Sequence, residues 1–451
     1  MVNGLSGERM LLGLAIGIAV LIFLVLKTKI QAFLALIICT VIVGVVGGMP
    51  LNNITLEDGT TFGILNSITT GFGGTLSSIG IIIGFGVMMG QIFEVTGAAK
   101  RMAHTFLKLF GKKREEEALA FTGFLVSIPI FCDSGFVVLS PIAKAISRVT
   151  KKSVIGLGVA LAAGLVITHS LVPPTPGPLG VCGIFGIDVG SFILMSILLA
   201  IPMAIACIAY SRLYLSKKYY RIPNENGEIV EAKYQEPDYD AAFSMDMQGL
   251  PSVLESFMPL IIPIILILIN TVATAMGQTK GFMSVLIFLG QPIIAVGLGL
   301  VVAIFTLGRK LDRHTALAEM EKGMMSAGII MLVTGGGAEG LAETAIPIII
   351  LPLLIATAMR FIQGSGTVAM ITAASISAPI IIASGASPLL GAIACCVGSL
   401  FFSYFNDSYF WVVNRTLGVS EAKDQLRVWS VTSTVAWAVG VVEVLILSIF
   451  M

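Results

Sequence analysis

The sequence predicts an all-α polytopic membrane protein made of two inverted repeats, with about ten transmembrane helices, two re-entrant hairpins and two broken helices. Of its 451 residues, 56% are hydrophobic and 12% are charged, whereas soluble domains have about 25% charged residues. Apolar runs such as 10–26 and 30–46 are long enough to cross roughly 30 Å of hydrocarbon. Helix-breaking Pro and Gly interrupt other apolar runs at equivalent places in the two halves of the chain.

The first hairpin is predicted from the distribution of charge. The loop 51–70 contains no Lys or Arg and is expected outside, whereas 100–114 is rich in both, which marks a cytoplasmic loop. A second basic cluster follows at 148–152, and a single crossing between the two clusters would place one of them outside. Residues 118–146 are therefore expected to enter and leave from the cytoplasm, with the tip of this hairpin near Cys132–Gly135.

The remainder of the first half is expected to cross the membrane twice. Residues 154–172 cross to the outside and break at Pro173–Gly177, and residues 191–212 return to the cytoplasm. These segments complete a first repeat, 1–212. Residues 213–250 are the only long polar stretch of the chain, and we expect them to form a cytoplasmic linker between the repeats.

The second half, 251–451, repeats this plan in the opposite orientation. Its basic loops predict that 324–338 leaves the cytoplasm, whereas the equivalent span 72–96 enters it. A second apolar hairpin with helix breakers, near 347–379, is expected to open outward. The other predicted spans are 254–276, 284–307, 386–405 and 428–450.

An internal sequence repeat supports the division into two halves. The pair Ser134–Gly135 aligns with Ser365–Gly366 at an offset of 231 positions, and both pairs fall at predicted hairpin tips. The same offset brings Pro174–Gly177 opposite Phe405–Ser408, at the two predicted helix breaks. Lipid cannot satisfy the backbone of a broken helix, so such segments must be buried in protein or line a wet cavity. Inverted repeats with broken helices near the midplane are typical of alternating-access transporters.

Four motifs of this chain resemble the gluconate permease family of the ion transporter superfamily. They are Phe131–Val137, Val172–Pro178, Gln363–Met370 and Asn406–Trp411, and the resemblance covers nearly the whole chain. It implies a multi-pass cytoplasmic-membrane symporter that imports gluconate or a related sugar acid with protons, with D-serine or glycerate as alternative substrates. Two features depart from the family pattern. Thr175 stands where many gluconate carriers have His, and the Gly-rich passage after Gly337 is short.

The predicted binding site combines both hairpin tips with both helix breaks. Backbone N–H groups at a helix N-terminus bind carboxylates, Gly allows close approach, and hydroxyl or amide groups suit a polyol. The candidate substrate-binding residues are Asp133, Ser134, Gly135, Thr175, Gly177, Ser365, Gly366, Thr367, Asn406, Asp407 and Ser408. The alternative for the Ser-Gly pairs is tight helix packing, for which small residues are used in membranes.

Charged residues inside apolar runs are the candidates for ion coupling. Asp133 and Asp407 are candidate proton carriers, because a carboxylate at membrane depth is costly when charged and is usually functional. Structural hydrogen bonds to the hairpin backbone are the alternative. We interpret Arg360 as an interfacial anchor in preference to a substrate counter-ion. We interpret His169 as a packed, hydrogen-bonded histidine in preference to a proton relay.

Several other classes of function are disfavoured. The chain has no P-loop for ATP-driven transport, its net charge of +1 gives no sign of nucleic-acid binding, and its six cysteines lie in apolar runs without metal-ligand spacing. We expect no enzyme activity, no cofactor and no metal. An intramembrane aspartyl protease would use Asp133 and Asp407, but its Gly-x-Gly-Asp signature is absent. A passive channel is the other alternative. The expected partners are a small carboxylate, protons and the lipid bilayer, and the architecture also permits a homodimer.

Overall fold

The computed structural model describes residues 32–55, 61–111, 113–224, 228–232, 248–276, 280–334 and 349–450, with single positions between 9 and 30. In these ranges six helices are long and apolar enough to cross a membrane, and the bent pair Gly80–Thr96 and Ala98–Phe110 would make a seventh. Most of 10–26 and the passage after Gly337 lie outside the described residues. The number of about ten crossings therefore stays a prediction.

The first half begins with three helices, a short β-hairpin and a bend. The elements are α1 (Ala32–Gly47), β1 (Ile54–Thr55) paired antiparallel with β2 (Thr61–Phe62), α2 (Ile64–Thr96) and α3 (Ala98–Phe110). The expectation of a basic loop at 100–114 was wrong, because most of it is helix α3. Its apolar residues Met102, Ala103 and Phe106 recur at helical spacing and are buried. The chain bends by 72° between α2 and α3, at Gly97 with φ 74°.

The next two helices fold back on each other. They are α4 (Glu115–Val126) and α5 (Cys132–Thr150). The Nζ atom of Lys152 lies 2.7 Å from a carboxylate oxygen of Glu115 and 2.7 Å from one of Glu116. The start of α4 and the end of α5 therefore lie side by side. The helix is interrupted at 127–131, slightly before the predicted tip, and Cys132 is already the first residue of α5. The side of the membrane toward which this hairpin opens stays a prediction.

A broken helix occupies the centre of the molecule. Helix α6 (Val154–Leu171) is followed by α7 (Pro176–Phe185), so the helix is interrupted where Pro173 and Pro174 predicted a break. Every residue of α6 is buried, and α4 and α5 both pack against it. Helix α8 (Val189–Lys218) contains a π-helical turn at Ser211–Leu215.

The described part of the linker is docked onto both halves of the chain. Its strands β3 (Arg221–Pro223) and β4 (Ile229–Glu231) pair antiparallel. Ser153 donates a hydrogen bond from Oγ to the carbonyl of Tyr219, at 2.6 Å. The hydroxyl of Tyr219 donates in turn to Asp424, also at 2.6 Å. The start of the linker is therefore a structured clasp between the two halves, and only part of 213–250 can act as a free connector.

The second half contains nine described helices. They are α9 (Val253–Ala275), α10 (Phe282–Leu289), α11 (Pro292–Thr306), α12 (Arg313–Thr334), α13 (Ile350–Gln363), α14 (Gly366–Ala383), α15 (Pro388–Gly398), α16 (Ser408–Thr416) and α17 (Ala422–Leu447), the last with a π-helical turn at Leu426–Ser430. Helices α13 and α14 pack against each other and against α15. Helix α7 of the first half packs against α14, and this contact brings the two halves together.

The span expected at 284–307 is interrupted. It is divided into α10 and α11 at Gly290–Gln291. A side chain at Gly290 would place its Cβ 2.2 Å from the carbonyl oxygen of Leu266, so only Gly fits there. The amide of Asn270 donates to the carbonyl of Gly290 at 3.2 Å, which satisfies an oxygen that the helix break leaves unpaired.

The span expected at 386–405 ends early. Helix α15 ends at Gly398, and the break before α16 is longer than the sequence suggested. Side chains of α17 replace the helical hydrogen bonds of this segment. The N–H of Ser403 donates to Ser433 Oγ at 3.0 Å, and Ser430 Oγ donates to the carbonyl of Ser403. The backbone is thus satisfied without a helix.

Candidate functional site

Three helix N-termini meet at a cavity of about 490 Å³. Helix α5 begins at Cys132, α14 at Gly366 and α16 at Ser408, and all three residues line the cavity. The N-terminus of a helix carries a partial positive charge and unpaired N–H groups. The cavity is therefore favourable for an anion. Seven of the predicted residues line it: Asp133, Ser365, Gly366, Thr367, Asn406, Asp407 and Ser408.

A buried ion pair joins α13 to the second helix break. Arg360 and Asp407 are each 5% exposed, and Arg360 Nη2 lies 2.5 Å from Asp407 Oδ2. The interpretation of Arg360 as an interfacial anchor was therefore wrong. Asp407 also accepts hydrogen bonds from Ser403 Oγ and from the N–H of Tyr409, the latter at 3.1 Å. Asp407 thus binds Arg360 of α13, Ser403 in the segment between α15 and α16, and the start of α16.

The second tip is built around Gly364. Its φ of 84° is in the left-handed region, and a Cβ there would lie 2.3 Å from the carbonyl oxygen of Asn406. Arg360 Nη1 donates to the Gly364 carbonyl, and Asn406 Nδ2 donates to the carbonyl of Phe361 at 3.1 Å. Ser365 caps α14 by accepting from the N–H of Val368 at 3.4 Å. Tip and break are therefore fixed against each other.

Asp133 is bound less tightly than Asp407. It is half-buried and accepts a hydrogen bond from Ser408 Oγ at 3.1 Å. The Sγ atom of Cys132 lies 3.8 Å from its other oxygen. Within the described ranges Asp133 forms no ion pair. The contact with Ser408 joins the first hairpin to the second helix break.

His169 connects the two halves on another side of the cavity. It is buried on α6, and its Nε2 lies 3.4 Å from Oγ1 of Thr367 on α14. Its ring also packs against Phe131, with centroids 5.6 Å apart. No hydrogen-bond partner for Nδ1 is found in the described part of the chain. The imidazole is packed as predicted, and it also borders the cavity.

Four predicted residues do not line the cavity: Ser134, Gly135, Thr175 and Gly177. A Cβ at Gly135 would lie 2.7 Å from Leu165 Cδ2, and one at Gly177 would lie 2.7 Å from Met370 Sδ. Both glycines therefore permit close helix packing. Thr175 donates from Oγ1 to the Val172 carbonyl at 2.6 Å. It borders a separate small cavity with His169.

Sequence reasoning missed several lining residues, including Ser170, Ser399 and Tyr409, and it preferred an interfacial position for Arg360. One signal could have identified Arg360, because it is the only charged residue in α13 and lies four positions before Gly364. An isolated charge inside an apolar helix is a functional candidate by default. The sequence offers no comparable signal for Ser399 or Ser170, since hydroxyl side chains are common in packed membrane helices.

The fold and the cavity define a class of protein. Broken helices whose N-termini meet around a central cavity, inside a bundle of apolar helices, are typical of membrane transporters. Residues 9–450 match the sequence model of the GntP family permease. The chain therefore belongs to the GntP permease family. It is a multi-pass protein of the cytoplasmic membrane, and its relatives are permeases and not enzymes.

Individual relatives agree with this assignment. An uncharacterized permease of Haemophilus influenzae is 46% identical, over 97% of this chain and 91% of that protein. The gluconate permease of Pseudomonas aeruginosa is 32% identical over 99% of each chain. Among solved structures, MtrF of Neisseria gonorrhoeae superposes with a TM-score of 0.59 at 14% identity, over 93% of this chain and 96% of that chain. At this identity the likeness to MtrF concerns the fold alone.

Proposed function

We propose that this permease is a secondary transporter that imports a small hydroxy-carboxylate, gluconate or a related sugar acid, by proton symport. The observation that supports it best is the cavity of about 490 Å³ bounded by three helix N-termini. Its volume falls within the roughly 300–1,000 Å³ of small-molecule sites. The 32% identity to a gluconate permease supports the same substrate class.

The substrate carboxylate would bind at the N-terminus of α14. The N–H groups of Gly366 and Thr367 are there, and a Cβ at Gly366 would lie 3.8 Å from Arg360 Nη1. Asp407 already neutralises this guanidinium, so the N–H groups and the positive end of α14 would supply the main attraction for the carboxylate. The hydroxyl groups of Thr367 and Ser408 and the amide of Asn406 are placed around the same cavity, where a polyol chain needs hydrogen-bond partners.

Asp133 is the better of the two candidate proton carriers. Asp407 is held by Arg360 and two further donors, whereas the hydrogen bond that Asp133 accepts from Ser408 survives protonation. A substrate anion and a proton on Asp133 would favour each other's binding, because the proton removes a like charge from the cavity. This mutual preference is the thermodynamic basis of symport.

Alternating access would follow from the two repeats, 1–212 and 251–451, moving relative to each other. The cavity lies where the hairpin tips and the broken helices of the two halves meet. Movement of the hairpins relative to the remaining helices would open it to one side at a time. A passive channel would need a continuous pore through the same place.

Uptake into proteoliposomes tests this proposal. Labelled gluconate is measured with and without an imposed inward proton gradient, and glycerate, other sugar acids and D-serine are added as competitors. We expect accumulation only with the gradient, and the order of competition identifies the substrate. Asp133→Asn should abolish accumulation but retain exchange of external for internal gluconate. Accumulation by Asp133→Asn would exclude Asp133 as the proton carrier, and equilibration without accumulation by the unmodified protein would favour a channel.

A further inference from the structure

A second cavity lies at the base of the first hairpin, at the end opposite its tip. We call this space of about 580 Å³ the basal cavity. It is bounded by the start of α4, the loop between α5 and α6, the end of α8 and the linker strands. Its positively charged lining residues are Lys113, Lys151, Lys152, Arg212 and Lys217.

The positive charge of the basal cavity is only partly neutralised. Lys152 pairs with Glu115 and Glu116 at 2.7 Å, and Arg212 pairs with Glu117 at 2.8 Å. Among the described residues, these three carboxylates therefore pair only with Lys152 and Arg212. Within the described ranges neither Lys151 nor Lys217 forms an ion pair.

We propose that the basal cavity binds a phosphate monoester, carried either by a lipid headgroup or by a soluble compound. Such a group has a charge of about −1.5 to −2 at neutral pH, which matches the two positive charges of Lys151 and Lys217. Phosphate binds well where several Lys and Arg side chains converge. Basic pockets beside transmembrane helices are suited to lipid headgroups, and the volume of the basal cavity also admits a phosphorylated small molecule.

Because of where the basal cavity lies, such a ligand would restrict movement of the first hairpin. A bound phosphate would contact Lys151 after α5, Lys217 at the end of α8 and the linker near Tyr220. Tyr220 already donates to the Lys151 carbonyl at 2.6 Å. The ligand would therefore fix the base of the hairpin whose tip lines the central cavity. This inference does not depend on which substrate the permease transports.

The test compares two variants that lose equal charge. Lys151→Gln with Lys217→Gln removes two cations of the basal cavity. Lys100→Gln with Lys310→Gln removes two exposed cations elsewhere. Full-length protein is titrated with inorganic phosphate by calorimetry. Separately, nanodiscs containing phosphatidic acid or only phosphatidylcholine are used to measure retained lipid by native mass spectrometry.

We expect the unmodified protein to bind one of the two phosphate probes. The basal variant should bind it about 30-fold more weakly, as the loss of two cations near an anionic headgroup implies, and the control should bind it normally. Saturation by inorganic phosphate identifies a soluble ligand, and selective retention of phosphatidic acid identifies a lipid. Binding of neither probe, or equal weakening by both variants, would overturn the proposal.

Discussion

At the scale of single residues, Asp133 and Asp407 of the central cavity differ in their hydrogen-bond and ion-pair partners. Asp407 pairs with Arg360 and accepts hydrogen bonds from Ser403 Oγ and the N–H of Tyr409, whereas Asp133 accepts a hydrogen bond from the hydroxyl of Ser408. The sequence ranked them equally, because both are isolated carboxylates in apolar runs. Their difference arises from Arg360, which lies 47 positions before Asp407. Asp407 therefore neutralises a buried cation, whereas Asp133 does not.

The two acids should consequently respond differently to neutralisation. Asp407→Asn leaves the Arg360 guanidinium buried without its counter-ion, and we expect a loss of about 3–5 kcal/mol in the free energy of unfolding. Asp133→Asn can still accept from Ser408 and should cost less than about 1 kcal/mol. Denaturation in detergent, followed by tryptophan fluorescence, measures both, since one of the three tryptophans, Trp429, donates to Ser403 at 2.8 Å. Equal losses for the two variants would contradict this account.

At the scale of elements, the first hairpin is closed at its base by one lysine. Lys152 Nζ contacts Glu115, which is 1% exposed, and Glu116, which is 3% exposed. Lys152→Met would leave two buried carboxylates without a cation. We expect a loss toward the lower end of about 3–5 kcal/mol, with faster hydrogen exchange at the start of α4 and the end of α5. Lys322→Met, which removes the pair of an exposed lysine with the half-buried Glu319, should change stability by less than about 1 kcal/mol.

The same ion pair should depend on pH in a defined direction. Burial opposes the charge on Lys152, but Glu116 and Glu115 outweigh it and raise the pKa of this ammonium above its ordinary value. A raised folded-state pKa stabilises the protein below the unfolded-state value and ceases to do so as the pH rises through the folded-state value. The difference in stability between the unmodified protein and Lys152→Met should therefore persist at neutral pH and shrink in strong alkali. A difference that grows with alkaline pH would contradict the assignment.

Local sequence signals predicted the elements that depend on local chemistry. Pro and Gly in apolar runs located the interruption at 172–175, because a breaker acts on its own helix, and they placed the first tip at Cys132–Gly135, just after the observed interruption at 127–131. The break at Gly290 carries the same kind of signal, since Pro292 is the first residue of α11, and sequence reasoning missed it; the fit of Gly290 against Leu266 and Asn270 of another helix could not be predicted. The early end of α15 depends in the same way on side chains of α17.

The candidate site follows the same rule. The seven predicted residues that line the cavity belong to the short motifs at tips and breaks. Gly135 and Gly177 belong to those motifs too, but they are packed against Leu165 and Met370. Which glycine approaches a ligand and which approaches a helix is decided by tertiary packing, so the sequence could not separate them. The ion pair of Arg360 depends on the fold, which places Asp407 beside it.

At the scale of the whole molecule, the central cavity is a junction of the two halves. Ser408 contacts Asp133 across it, and Thr367 contacts His169. Gly177 lets α7 approach α14 at Met370. These contacts at the tips are polar or involve small residues, whereas the buried core around α6 is apolar, extensive and drawn from both halves. Movement of the two hairpin tips would therefore expose less apolar surface than movement of α6.

Accessibility of the cavity from each side of the membrane tests such movement. All six cysteines are buried, and Cys132 alone among them lines the central cavity, so Ser408→Cys in a Cys132→Ser background reports on this cavity. An impermeant maleimide is applied to right-side-out or inverted vesicles. If the protein is a carrier, Ser408→Cys should react mainly from one side without substrate. Gluconate with a proton gradient should shift its reaction toward the other side. Lys280→Cys, at an exposed position away from the cavity, should label from one side regardless of substrate. Equal labelling rates of Ser408→Cys from both sides, unchanged by substrate or by the proton gradient, would contradict a substrate-driven change of access and would favour a continuous pore.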